Sequence, residues 1–201
     1  GPSGGGKSTL LEAVAGFEPL QSGRVIWHQR DLTHLPPGER PIAMLFQDGN
    51  LFPHLTAAQN VGLGLHPNLR LSQSDQRAVS RALRDVGLDG LDTRKPAALS
   101  GGQQARVALA RLTVQKRDLI LLDEPFAALG PALKSEMLTL VADIARAREA
   151  TVLMVTHDPE DARQIADDII VVAEGRADPP VATADIFASP PPAVKAYLGQ
   201  K

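Results

Sequence analysis

Gly1-Pro2-Ser3-Gly4-Gly5-Gly6-Lys7-Ser8-Thr9 opens the chain, and Gly1 to Ser8 fit the pattern G-x-x-x-x-G-K-[ST] in full. Each part has a physical reason. Glycines let backbone amides turn inward and approach phosphate oxygens closely. A helix that follows presents its positive end to the same oxygens. Lys7 can reach β- and γ-phosphates as a mobile point charge, and the Ser8 hydroxyl suits a hard cation such as Mg²⁺. Alone, the stretch implies nucleoside triphosphate binding. Its bland alternative is a chance glycine-rich turn.

After this stretch, Ser8 to Ala15 reads as a helix with Leu10, Leu11 and Val14 on one side and Gly16 as its stop. Ser22-Gly23 turns into a short strand, Arg24 to Trp27. Ile42 to Phe46 reads as a buried strand ending at Gln47. From Asp48 to about Ala98 apolar strand runs vanish and helical signals replace them, notably Ser74 to Val86 with Val79, Leu83 and Val86 on one face. Strands and helices then alternate. Gly102 to Val114, Pro131 to Arg148 and Pro159 to Ala166 read as helices. Leu119 to Asp123, Thr151 to Thr156 and Ile169 to Ala173 read as strands. Continuous apolar runs between amphipathic helices indicate an α/β fold with a mainly parallel sheet covered on both faces. The tail, with Pro179-Pro180 and Pro190-Pro191-Pro192, reads as loop with one short helix.

Composition narrows the function classes. The chain has 201 residues, enough for one domain with a small insertion, and its formal net charge is -2 with both signs interspersed. No basic surface for nucleic acid is implied. There is no cysteine, which excludes disulfides, thiolate metal sites and thiol nucleophiles. The five histidines show no metal-ligand spacing. No apolar run approaches the roughly 20 residues of a membrane-spanning helix.

Two further stretches carry chemistry. Asp123-Glu124 closes the apolar run Leu119 to Leu122, where open α/β sheets bind ligands. Asp123 can hold a Mg²⁺ shell, and Glu124 can polarise an attacking water as general base. Two surface acids after a strand are the bland alternative. Leu99-Ser100-Gly101-Gly102-Gln103 is a second glycine-rich helix start. It can bind anions, or it can be a helix cap led by Ser100.

These motifs, in this order, resemble the nucleotide-binding subunits of ABC transporters from Gly1 nearly to the end of the chain. Gln47, in Met-Leu-Phe-Gln, is similar to the family's Q-loop. Leu99 to Gln103 resembles the signature sequence, Leu119 to Glu124 the Walker B strand, and His157 the switch histidine. The resemblance implies a P-loop NTPase (RecA-like) core over residues 1–47 and 105–201, carrying a small helical ABC subdomain over 48–104. It implies ATP and Mg²⁺ as cofactors. Nucleotide contacts would come from Gly1, Pro2, Ser3, Gly4, Gly5, Gly6, Lys7, Ser8 and Thr9 in one subunit and from Ser100, Gly101, Gly102 and Gln103 in its partner. Mg²⁺ would be met by Ser8, Gln47 and Asp123. Catalysis would fall to Glu124, His157 and Gln47. The expected partner is a second subunit in a head-to-tail homodimer closed by ATP.

Asp48 to Leu65 is similar to the stretch of bacterial importer ATPases that meets a transmembrane permease, which would place the chain at the cytoplasmic face of the inner membrane. A periplasmic solute-binding protein would act indirectly. More narrowly, Arg40-Pro41 through Gln47, Asn60 to Leu69, and Pro131 through Leu140 look like thiamine-importer ATPases, a group also without a regulatory domain after the region of Tyr197. Ferric iron, polyamine or another small solute is the alternative. Two departures stand out. The D-loop usually reads Ser-Ala-Leu-Asp, whereas Ala127-Ala128-Leu129-Gly130 stands here, so a module with impaired hydrolysis is the rival reading. A P-loop also needs a strand before it, so an N-terminal β-region of roughly thirty to forty residues is expected to be missing.

Overall fold

A computed structural model describes residues 4–47, 49–191 and 194–195. Gly1, Pro2 and Ser3 of the expected phosphate loop, Asp48 of the expected permease stretch and Tyr197 lie outside the described residues. In chain order the elements begin α1 (Lys7–Ala15), β1 (Ile26–Trp27), β2 (Arg30–Asp31), β3 (Ile42–Leu45), α2 (Ala57–Gly62), α3 (Gln73–Asp85), α4 (Gly101–Gln115) and β4 (Leu119–Asp123). They continue α5 (Pro131–Arg148), β5 (Thr151–Val155), α6 (Pro159–Ile165), β6 (Asp168–Ile169), β7 (Val172–Ala173), β8 (Arg176–Ala177), β9 (Val181–Ala182) and α7 (Thr183–Ala188). The chain divides into two compact units, residues 1–40 with 155–201, and residues 41–154.

In the first unit, α1 buries Leu11 and Ala15, one turn apart, whereas Leu10 stays 41% exposed. The helix ends at Gly16, whose φ of 89° is left-handed. The Phe17 amide donates to the Glu12 carbonyl at 2.9 Å and the Gly16 amide to Ala13 at 3.2 Å, the paired bonds of a Schellman cap. The β1–β2 hairpin turns on His28 and Gln29, both at positive φ, as a two-residue turn between right-twisted strands requires.

The expected strand Ile169 to Ala173 is instead two short ones with different partners. Asp168–Ile169 pairs antiparallel with Val181–Ala182, and Val172–Ala173 pairs antiparallel with Arg176–Ala177. Glu174 and Gly175, both at positive φ, fold β8 back on β7 in a tight turn, so the run changes partner halfway. An apolar run does not reveal such a switch.

The second unit holds a three-stranded sheet ordered β3-β4-β5. β3 and β4 are parallel, with Ile42 opposite Leu119 and Leu45 opposite Leu122. The central strand β4 is buried at Leu119 to Leu122 and half-buried at Asp123. β5, expected as a buried strand, is exposed at Thr151 and half-buried beyond. It lies at the end of the strand order, with a partner on one side among the described residues.

Beside the sheet, α2, α3 and α4 build a helical core from Val61, Val79, Leu83, Val86, Val107, Val114 and their neighbours. α3 starts at Ser72 with a capping box: the Ser72 Oγ accepts from the Asp75 amide, and the Asp75 carboxylate accepts from the Ser72 amide. α2 starts with the same device at Thr56 and Gln59. Arginines close helix carboxyl ends in this unit. Arg106 donates to the Val86 carbonyl after α3 at 2.6 Å, and Arg148 donates to the Leu112 and Thr113 carbonyls of α4.

Candidate functional site

The first unit carries the phosphate-loop helix. Gly4 and Gly6 lie at φ of +77° and +90°, and a Cβ at either would meet open space. Their glycines therefore serve conformation rather than room, since these φ values are strained for an L side chain. Gly6 is the N-cap of α1, with no side-chain cap and no acid in the first turn. An α1 amino end unoccupied by a cap suits an anion. Lys7 is half-buried, and Ser8 and Thr9 are exposed, all in that first turn.

The other end of α1 is held by a residue that motif reading does not find. Arg40 is 3% exposed and donates to four carbonyls: Leu35 at 2.9 Å, Thr33 at 3.1 Å, Ala13 at 3.0 Å and Val14 at 2.6 Å. A cation at the negative end of α1 stabilises that helix. Burial lowers the Arg40 pKa from its usual range, yet a guanidinium keeps its charge there.

His157 is exposed on a short loop after β5. Its two neighbours are tied together: the Asp158 amide donates to Thr156 Oγ1 at 3.0 Å. Thr156 Oγ1 lies 2.5 Å from Asp161 Oδ2. Asp158 caps α6 by accepting from the Glu160 amide at 3.0 Å, and Pro159 occupies the first helical position.

In the second unit, Glu124 follows β4 with a φ of 43°, rare for a residue with a side chain. Strained backbone of this kind concentrates at functional sites. Gln47 follows β3 and is exposed. The turn after it is clamped by buried Arg111 of α4, which donates to the Gly49 and Asn50 carbonyls at 2.9 and 2.7 Å. Ser100 is the N-cap of α4 in a reciprocal box: its Oγ accepts from the Gln103 amide, and Gln103 Oε1 accepts from the Ser100 amide at 2.9 Å. Gly102 is buried, and a Cβ there would come 2.5 Å from Leu133 Cδ2. At exposed Gly101 a Cβ would make only ordinary contact, with Leu129 Cδ2 at 3.9 Å. Gly130 is the N-cap of α5, at φ −66° and with no side-chain cap.

The stretch from Leu51 to Leu65 is organised by Asn60, which is fully buried. Its Oδ1 accepts from the Phe52 amide at 2.8 Å, and its Nδ2 donates to the carbonyls of Phe52, Leu55 and Thr56 at 3.0 to 3.2 Å. The fold thereby fixes a turn that presents Phe52, 47% exposed, edge-on to His54. Asn60 and Arg111 leave no motif signal, because each serves backbone carbonyls that the fold alone brings near. Asn60 within an apolar run was the one available hint.

Among the described residues no group of three His, Asp or Glu could hold a metal ion by itself. Ser8 in the first unit and Asp123 in the second each carry a hard oxygen donor of the kind Mg²⁺ takes. No described helix is long and apolar enough to cross a membrane.

The comparisons with known proteins agree with this frame. Residues 1–127 match the ABC transporter family. The chain is 61% identical, over 199 residues, to the thiamine import ATP-binding protein ThiQ of Ruegeria sp. (strain TM1040), spanning 99% of this chain and 86% of that one. It is 54% identical over 176 residues to the same-named protein of Salmonella paratyphi A, spanning 88% and 75%. Among solved structures, the ATP-binding cassette MJ0796, a dimer in a post-hydrolysis state bound to ADP and Pi, aligns with a TM-score of 0.77 and 31% identity. It covers 90% of this chain and 82% of that one.

Proposed function

We propose a function from an established premise: the chain belongs to the ABC transporter family, as an ATP-binding subunit of the P-loop α/β class. It binds and hydrolyses ATP to energise a bacterial importer, and the solute is thiamine. The observation that carries the solute is the 61% identity, over 99% of the chain, to a thiamine import ATP-binding protein.

In this reading the first-turn amides of α1 and Lys7 hold the phosphates, with Gly1 to Thr9 around them. Ser8, Gln47 and Asp123 meet Mg²⁺, which neutralises phosphate charge when bound. Glu124 polarises the attacking water, and His157 contacts the γ-phosphate. A second copy of the chain packs head to tail and supplies Ser100, Gly101, Gly102 and Gln103. The open amino end of α1, the left-handed Glu124 and the tethered His157 loop support these roles. The dimeric MJ0796 supports the homodimer. Residues 48–65 dock on a permease at the cytoplasmic face of the inner membrane, and the Asn60-held turn with exposed Phe52 supports that surface. A periplasmic binding protein delivers the solute to the permease. Residues 48–104 act as the helical signature subdomain on the ATPase core of residues 1–47 and 105–201.

The test is ATP turnover of the full-length subunit assembled with its permease and binding protein. Thiamine is expected to stimulate turnover, with ferric iron and polyamines inert. Stimulation by one of those solutes and not by thiamine would overturn the solute assignment.

A further inference from the structure

We infer that Asp161 is a positioning residue for His157, acting through the Thr156 hydroxyl; the inference rests on the role proposed for His157. Asp161 is 7% exposed, at the third position of α6. An acid at that position ordinarily accepts the N-cap amide itself. Here a hydroxyl is inserted between them. The Asp158 amide donates to Thr156 Oγ1 at 3.0 Å, and Thr156 Oγ1 lies 2.5 Å from Asp161 Oδ2.

A threonine hydroxyl has one proton to give. The Asp158 carbonyl, at 3.5 Å, is the poor acceptor, and the Asp161 carboxylate is the near one. A charged acceptor also makes the stronger bond. The carboxylate thus orients the hydroxyl so that its lone pair meets the Asp158 amide. That amide bond ties together the residues on either side of His157. Further anchors hold Asp158: its carboxylate caps Glu160, and its carbonyl accepts from the Asp161 amide at 3.2 Å. The imidazole therefore projects from a loop whose ends are fixed to α6. Displacing a reacting group by about 1 Å can cost on the order of a hundredfold in rate.

The experiment is ATP turnover by the full-length subunit assembled with its permease, in variants of the relay. Thr156→Val and Asp161→Asn are expected to lower kcat about 10- to 100-fold with KM for ATP changed less than about threefold. Thr156→Ser keeps the hydroxyl and is expected to stay within about threefold of wild type. In a His157→Ala background, Thr156→Val is expected to cost less than about twofold more, measured by single-turnover hydrolysis, because both changes remove one contribution. An equal loss with and without His157 would overturn the inference, as would an unchanged kcat in Thr156→Val. Hydrogen exchange gives a reading independent of turnover. The His157 and Asp158 amides should exchange faster in Thr156→Val while Ala162 to Ile165 hold, and equal exchange in both proteins would overturn the relay. Wild-type turnover in His157→Ala would instead overturn the role of His157 itself.

Discussion

Gly16 and Gly102 are glycine for different reasons. Gly16 combines a left-handed φ of 89° with the Arg40 guanidinium, whose Nε would lie 2.5 Å from a Cβ. Gly102 has no conformational demand of that kind, but Leu133 occupies the space its Cβ would need. Gly16→Ala is expected to destabilise the protein by at least about 2 kcal/mol and Gly102→Ala by about 1–3 kcal/mol, read from urea midpoints. Gly130 is the contrast. Its φ is ordinary and a Cβ there meets nothing within 4 Å. Gly130→Asp should fold without strain and add an N-cap to α5, worth a few tenths of a kcal/mol. Destabilisation by that change would show that the D-loop glycine is structurally required. At this scale Lys7, Ser100, Asp123 and Glu124 could be proposed from sequence because phosphate chemistry favours set residue types at set spacings, and His157 because of the family resemblance. Arg40 could not, because its four carbonyl acceptors lie on two stretches, Ala13–Val14 and Thr33–Leu35, that only the fold brings together.

Helix ends explain how the elements hold their functional turns. α2, α3 and α4 each begin with a reciprocal capping box; in the sequence Ser100 reads as a cap, whereas α3 reads as starting at Ser74, past its box, and α2 does not read as a helix. The turn ahead of α2 depends on one side chain. Asn60→Ala is expected to cost about 2–4 kcal/mol in urea unfolding, because it leaves the Phe52 amide and the Leu55 carbonyl without the side chain that meets them, while the Phe52 and Thr56 carbonyls keep their backbone donors. It should also weaken assembly with the permease, whereas a free Phe52→Ala subunit should keep its stability and lose assembly alone. The box on α3 adds a pH dependence. The Ser72 hydroxyl and amide, followed by the nearby His66, hold the Asp75 carboxyl below its usual pKa. A lowered folded-state pKa contributes stability that is complete above about pH 4 and fades as pH falls through the folded value. Asp75→Asn should therefore narrow its stability gap to wild type between about pH 5 and pH 2, and an unchanged gap would contradict the assignment.

The whole molecule was legible as a class before it was legible in its strand pairings. The apolar run Leu119 to Leu122 announced a buried strand, and the structure places it between β3 and β5. Ile169 to Ala173 announced one strand and became two, because the Glu174-Gly175 turn takes over half of the run. Thr151 to Thr156 reads as a buried strand, but β5 stands at the end of the strand order and is exposed or half-buried. Periodicity reports how apolar a segment is, whereas partner and order come from the chain around it. In the proposed function α1 presents an anion-binding end to the phosphates of ATP while Glu124 drives their hydrolysis. ATP turnover and ATP binding should therefore be compared between the wild-type subunit and Glu124→Gln, each assembled with its permease. Binding is expected within about threefold and turnover lowered by about 10²- to 10⁴-fold in the variant. Wild-type turnover no faster than that of Glu124→Gln would contradict the proposed function.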